Sequence, residues 1–534
     1  MIVNRCELCY NSDMSNILVA GVDTSTQSCK VVVRDLESGK LMRSGTAAHP
    51  DGTECHPDFW WTAFKEAAGE AGGLKDIEAI SVGGQQHGMV LLDADGEVIR
   101  PALLWNDTRS AVAAEDLIAE FGAKTIEISP AAAKDGAHIS EVGAKAWADA
   151  IGSVLVASLT ITKVRWVAAN EPENAKRIAA ICLPHDWLSW RLAGYGPKSQ
   201  GLEPNLEALF TDRSDASGTG YFDATANSGA GEYRRNLLDL ALRPAGITSE
   251  GIILPRVLAP TESVKAHDPQ TSDEQVILAG TLVGPGGGDN AAAALGLGLR
   301  TGEVSVSLGT SGVVAAVSST PTKDPTGAIN GFADCTGNYL PLACTLNASR
   351  DVDAAKNILG VDYDKLSDLA LEAKPGAGGI TLVPYFEGER MPNRPTANGS
   401  LFGLTLANST PQNIARAFVE GMLLGLNDGI AQMQLQGVHI SKVYMIGGSM
   451  KSPAVRAIAP AVFERDITLP TLGEYVADGA ARQAGWVYNV ANNLNRGDMP
   501  FWKLATEEII TAPATPEVVA AYNKVKELPT KGEI

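Results

Sequence analysis

Gly284-Pro285-Gly286-Gly287-Gly288-Asp289-Asn290 stands near the middle of a 534-residue chain, and its reading decides the fold. The apolar run Val276-Ile277-Leu278-Ala279-Gly280 ahead of it predicts a buried strand, and Ala291 to Leu299 predicts a helix of small residues. Glycines lack a Cβ, so they admit positive φ and let backbone approach a ligand closely. Asp289 follows them where a helix N-cap belongs. A plainer reading makes the glycines a turn and Asp289 its cap. The position of the stretch argues for more, because it directly precedes the second copy of a pattern first met near the N-terminus.

That pattern is strand, polar turn, strand. Ile17-Leu18-Val19-Ala20-Gly21-Val22 suits a buried central strand, Asp23-Thr24-Ser25-Thr26-Gln27-Ser28 a turn, and Cys29 to Asp35 the returning strand. Backbone N–H groups and hydroxyls of such a turn can hold phosphate oxygens. Asp23 is placed to hold a magnesium ion, directly or through water. The second copy runs Glu303 to Leu308, Gly309-Thr310-Ser311-Gly312, then Val313 to Val317. Thr24-Ser25 aligns with Thr310-Ser311, and Asp23 with Gly309, so only one copy carries a carboxylate. Two related halves facing across a cleft follow, with metal held from one side and phosphate from the other. A third element, the strand Val443 to Ile446 followed by Gly447-Gly448-Ser449 and the helix Pro453 to Phe463, reads as a nucleotide-binding corner.

Bulk composition narrows the class. Hydrophobic residues make up 45% and charged residues 20%, as in globular proteins. A formal charge of −19 argues against nucleic acid or an anionic membrane as partner. No apolar run approaches the ~20 residues of a bilayer span, and the longest, Ile151 to Ile161, reads as a buried element. Residues 1–16 have no apolar core and read as a disordered leader rather than a signal peptide. Seven cysteines, an odd number, fit reduced thiols and a cytoplasmic protein. Cys6 and Cys9 form a CxxC without the second pair that a zinc site needs.

Taken together these elements resemble the FGGY carbohydrate kinases, whose wider group includes actin and the heat-shock chaperone ATPases. The likeness runs from about Ile17 to Val490. Ser158-Leu159-Thr160-Ile161-Thr162-Lys163-Val164-Arg165-Trp166-Val167 resembles the family's first signature, and Gly399-Ser400-Leu401-Phe402-Gly403-Leu404 opens its second. Gly84-Gln85-Gln86-His87-Gly88, with Gln86 in place of the usual Met, Leu104-Trp105-Asn106-Asp107-Thr108-Arg109 and Gly287-Gly288-Asp289-Asn290-Ala291 resemble the xylulokinase branch most. The resemblance implies an α/β, two-lobed ribonuclease H-like fold with its active site in the interlobe cleft.

The implied reaction is ATP-dependent, magnesium-assisted phosphorylation of a ketopentose, D-xylulose to D-xylulose 5-phosphate. Asp289 is then the catalytic base. Gln86, His87, Asn106, Asp107 and Asn290 contact the sugar, with Trp105 as a packing residue closing the pocket. Asp23, Thr24, Ser25, Gly309, Thr310, Gly447, Gly448 and Ser449 serve ATP and its phosphates. A proton acceptor and polar groups for a polyol are what such a transfer requires. Two alternatives stay open: a kinase of the same family for gluconate, ribulose or glycerol, and a nucleotide-gated binding protein without turnover. A homodimer is also open. Residues 17–299 read as the sugar-binding lobe, 300–490 as the nucleotide lobe, and 491–534 as a tail with a helix near Pro516 to Glu527. Gly194 to Asn236 reads as an extended surface loop in which Asp212 and Asp215 are turn residues. Trp60 and Trp61 are core or pocket residues, Lys30 faces solvent, and Glu387 pins its loop through Arg390.

Overall fold

A computed structural model describes residues 16–132, 137–269, 271 and 274–530. The leader with its CxxC lies outside the described residues. Two seven-stranded mixed sheets organise the chain. In the first, Leu18–Thr24 pairs antiparallel with Ser28–Asp35, which pairs antiparallel with Leu41–Ala48. On its other side Leu18–Thr24 pairs parallel with Ala79–Gly84. The second sheet repeats this core: Glu303–Leu308 pairs antiparallel with Gly312–Ala316 and parallel with Lys442–Ile446. The doubled sequence pattern is thus a doubled strand topology.

Burial explains why the strands differ. Val304, Val306 and Leu308 are buried while Glu303, Ser305 and Ser307 are half-buried, the alternation of a strand with one apolar face. Val19 to Thr24 is buried without interruption, because helices cover both faces of the first sheet. One cover is the helix Pro57–Glu70, whose Trp60 and Trp61 are core residues, Trp60 packing edge-on against Trp187. The other is the helix Tyr475–Ala491, which returns from the far end of the chain. Its approach depends on glycine. A Cβ on Gly21 would lie 1.9 Å from Ala477 O, one on Gly479 1.9 Å from Ala292 O, and one on Gly296 2.0 Å from Tyr475 O. Backbone therefore meets backbone, and the helix Asp289–Leu297 is locked against Tyr475–Ala491.

Four expectations need correction. Val276–Gly280 is irregular: Gly280 turns at φ 90°, and after it Leu282–Val283 and Gly287–Gly288 join the first sheet, both along Ala79–Gly84. Gly194–Asn236 is not a surface loop. Its stretch Leu209–Phe222 is buried and contains a short helix, Arg213–Ser217, capped by Asp212. Lys30 is half-buried and pairs with Glu474 at 2.5 Å. Glu387 pairs with Arg350 at 2.7 Å and not with Arg390. In each case partners distant in sequence override a local pattern.

The tail packs on the second half. Thr506–Ile510 adds to Ile467–Pro470 at the sheet edge, and the helix Pro516–Val525 buries Val518 and Tyr522. Beyond it Arg394 donates to the carbonyls of Lys526 and Leu528 at 2.5 and 2.7 Å. Among the described residues no helix is long and apolar enough to cross a membrane.

The glycine-mediated contact yields a paired test. Gly479→Val should lower the melting temperature by at least about 5 °C, since overpacking against backbone cannot relax cheaply. Gly69→Ala, on an exposed helical position with nothing within 4 Å of the added carbon, should leave it unchanged or slightly higher. Thermal melts of both variants check this.

Candidate active site

Ala79–Gly84 delivers Gln85-Gln86-His87-Gly88 to the seam between the two halves. Gly287–Gly288 runs beside its end, in register with Gly83 and Gly84, and so brings Asp289 alongside Gln86. A cavity of 200 Å³ opens there, lined by Gln86, His87, Trp105, Asp289, Asn290 and Arg390 among others. Val156, Ser158 and Leu159 form one wall, from the buried connector that the apolar run Ile151 to Ile161 becomes.

Asp289 is not a helix cap. Gly288 occupies the N-cap and Asp289 is the first helical residue. Its Oδ1 accepts from Asn290 N at 2.7 Å and from Asn290 Nδ2 at 2.8 Å. Asn290 Nδ2 also donates to Gln86 Oε1 at 3.1 Å. No described residue donates to Asp289 Oδ2. Burial, then the charge of Asp23, pushes the Asp289 carboxyl up to about 7, against the hydrogen bond from Asn290. Asp23, buried at the end of its strand and accepting from Ser25 Oγ, is itself pushed up to about 6, chiefly by burial. Thr24 Oγ1, on the opposite face of the strand, is buried without a hydrogen-bond partner among the described residues. Two buried carboxylates of high proton affinity are oxygen donors suited to a hard divalent cation.

His87 sits at φ 69°, a left-handed conformation that aims its ring into the seam. Its Nδ1 lies 2.8 Å from the Gly218 carbonyl. A carbonyl only accepts, so Nδ1 carries the proton. Burial, with the Lys163 charge, pushes the imidazole down to about 3, so the ring is neutral and Nε2 remains an acceptor. Lys163 is fully buried, donates to the carbonyls of Ala157 and Ser158, and is pushed down to about 7 by burial. It therefore braces the connector that walls the cavity.

Trp105 Nε1 donates to Thr26 Oγ1 at 2.9 Å, tying the cavity to the first turn. Asn106 and Asp107 lie just outside the lining. Asn106 donates to Gly52 O at 3.3 Å. Asp107 accepts from Thr53 Oγ1 and Arg109 Nε, both at 2.8 Å; burial raises its carboxyl, but those bonds hold it below the usual range.

A second cavity of 470 Å³ adjoins through one turn. Ser311 lines the first cavity, while Gly309 and Thr310 line the second together with Gly448 and Ser449. Val352, Leu366, Val419 and Val455 give it apolar walls. A Cβ on Gly448 would meet nothing within 4 Å, so that backbone stands open to a ligand, whereas Gly447, at φ 103°, lies against Leu308 backbone. An apolar-walled cavity edged by glycine backbone suits a nucleotide base and its phosphates. The helix Pro453–Phe463 starts at this corner, with Ser452 as its N-cap.

Sequence reasoning missed Arg390, Ser311 and Lys163 on the sugar side, and Ser349, Tyr363, Ser367 and Lys451 on the other. Lys451 follows directly on the Gly447-Gly448 corner, which was the available signal. Arg390 had none, because its place depends on Glu389, which accepts from Leu346 N and Asn347 Nδ2 and so holds the loop.

Known proteins share this arrangement. The N-terminal domain model of the FGGY family of carbohydrate kinases matches residues 18–296, and the C-terminal domain model residues 304–488. A xylulose kinase from Streptomyces coelicolor is 41% identical over 475 residues, 88% of this chain and 87% of its own length. The crystal structure of a xylulose kinase from Bifidobacterium adolescentis superposes with a TM-score of 0.88 at 53% identity, covering 96% of this chain and 99% of that one. A Plasmodium falciparum glycerol kinase with ADP, 18% identical, superposes with a TM-score of 0.75 over 96% of this chain and 98% of its own, a likeness of fold alone. This chain belongs to the FGGY family of carbohydrate kinases.

Proposed function

We propose that the protein transfers the γ-phosphoryl group of ATP to D-xylulose, giving D-xylulose 5-phosphate and ADP. The observation that carries this reading is the single turn Gly309-Thr310-Ser311, with the cavity of Asp289, His87 and Asn290 on one side and the larger cavity edged by Gly448 and Ser449 on the other. A phosphoryl group passing between two substrates crosses such a boundary. The identity of the sugar rests on the named activity of the two xylulose kinases above. Residues 17–299 form the sugar lobe in this reading, 300–490 the nucleotide lobe, and 491–534 a tail.

Asp289 Oδ2, without a described donor, accepts the proton of the sugar hydroxyl as its oxygen bonds to the γ-phosphorus and the bond to the ADP oxygen breaks. A carboxylate poised near 7 is suited to this, since its proton affinity matches the working pH. Asn290 and Gln86 hold the other carboxylate oxygen side in place. His87 accepts from a second sugar hydroxyl through Nε2. Gly309, Thr310, Gly448 and Ser449 orient the phosphates together with Thr24 and Ser25, and Asp23 would hold the magnesium ion. Magnesium, when bound, neutralises charge on the transferring phosphates. Closure of the halves would exclude water from the γ-phosphate.

A panel of xylulose, ribulose, gluconate and glycerol in a coupled ADP-release assay tests the reading. Xylulose should give the highest kcat/KM, and Asp289→Ala should cut kcat by about 10²–10⁴-fold while nucleotide still binds. Faster turnover with another sugar would replace the substrate, and near-normal turnover of Asp289→Ala would remove the base.

The pH profile follows from the raised carboxyl. Below about 7 Asp289 takes up a proton and can no longer accept one, so kcat/KM should fall about tenfold per pH unit beneath that point. A profile flat down to pH 5 contradicts this. His87→Ala should raise the sugar KM about tenfold through loss of one hydrogen bond, with the nucleotide KM unchanged; steady-state kinetics in both substrates decide it.

A further inference from the structure

Behind the catalytic glycines lies a charged cluster that the reaction does not use. The helix Pro184–Leu192 is buried along its whole length and carries His185 and Asp186. His185 Nδ1 lies 2.6 Å from Asp215 Oδ2, and its Nε2 lies 3.3 Å from Asp186 Oδ1. All three side chains are sealed from solvent. Neither Nε2 nor Asp186 Oδ1 has a hydrogen-bond partner among the described residues. The imidazole donates from Nδ1 to Asp215 Oδ2, and the Asp186 carboxylate, within ion-pair reach of Nε2 but not hydrogen-bonded to it, favours the imidazolium. Separation of 2.6 Å is that of a hydrogen bond, and leaves no metal between Nδ1 and Asp215.

The ring is wedged between glycines. A Cβ on Gly286 would lie 2.3 Å from His185 Cδ2, and one on Gly84 2.8 Å from His185 Cβ. From the other side, Asp212 caps the helix Arg213–Ser217 by accepting from Ser214 N at 2.7 Å and Asp215 N at 2.9 Å. Ser214 Oγ then accepts from Gly288 N at 3.1 Å, the amide immediately before Asp289. Gly286 N is held by Ser81 Oγ and by Gln483 Oε1.

We propose that His185 is a positioning residue: its Nδ1, hydrogen-bonded to Asp215, fixes the helix Arg213–Ser217, and Ser214 on that helix fixes the backbone from which Asp289 projects. This rests on the reading of Asp289 as the base. Electrostatics agree. Burial would push the ring down, but Asp186, Asp215 and Asp212, which face it from its own helix and the neighbouring one, hold it up at about 10.

Kinetics of the full-length enzyme test this. Ser214→Ala and His185→Gln should each lower kcat about tenfold with the sugar KM within about twofold of wild type. Because they lie on one chain of contacts, the double variant should be no slower than the slower single. Unchanged kcat in Ser214→Ala, a rise in sugar KM in place of the kcat loss, or multiplying effects in the double variant overturns the proposal. Should His185→Gln not fold, ¹⁵N NMR of the histidine rings in the wild type decides: His185 protonated on both nitrogens at pH 8 supports the proposal, and a neutral ring overturns it. A stoichiometric transition metal in the purified protein overturns it as well. Failure of the underlying reading is distinguishable. Activity retained in Asp289→Asn sinks the base, whereas a dead Asp289→Asn beside wild-type rates in Ser214→Ala and His185→Gln sinks the positioning role alone.

Discussion

Everything about this molecule depends on a contact with no side chain in it. Gly21, Gly296 and Gly479 let the helix Tyr475–Ala491 lie directly on the central strand of one sheet and on the helix that starts at Asp289. Close-packed backbone has little room to relax, so the position of that helix is set to a few tenths of an ångström. Gln483 on the same helix reaches Gly286 N. The last helix before the tail thus anchors the glycine turn in the middle of the chain. Two halves that are separate in sequence become one support for a single carboxylate.

That support opposes an electrostatic cost. Asp23 and Asp289 approach in a desolvated seam, and the charge of Asp23 raises the proton affinity of Asp289 beyond what burial does. For Asp289 the sign is clear. A folded-state value near 7, above the unfolded one near 4, means its contribution to stability is present below pH 4 and is lost as pH rises through 7. At working pH the fold holds an ionised group it would sooner protonate. A cation between the two carboxylates would relieve this strain, and so would delivery of a proton from substrate. The same property that weakens the fold suits the site to its chemistry.

Much of this was legible from residues alone. The strand Glu303–Leu308, read as the second copy of the pattern, and the helix Pro453–Phe463, read as following the glycine corner, fall where those readings put them. The repeat of Thr24-Ser25 in Thr310-Ser311 revealed the doubled architecture, and Asp289 stood out beside three glycines. What stayed hidden is pairing across sequence. Asp212 and Asp215 look like turn residues until His185 is brought 2.6 Å from the second of them. Glu387 and Arg390, neighbours in the chain, part company because Arg350 and the cavity claim one each. Val276–Gly280 has the apolar character of a strand, yet Leu278 is exposed and the chain turns before it can pair. Local pattern reports a residue's preference, and long-range neighbours decide between preferences.

Arg394 holds the carbonyls of Lys526 and Leu528, four residues after Arg390 enters the sugar-side cavity. One short loop thus has the reactive centre at one end and the chain's last described turn at the other. A change that breaks the hold of Arg394 on that turn would therefore be felt at Arg390 in the cavity, although the turn lies far along the chain from the glycines that carry Asp289.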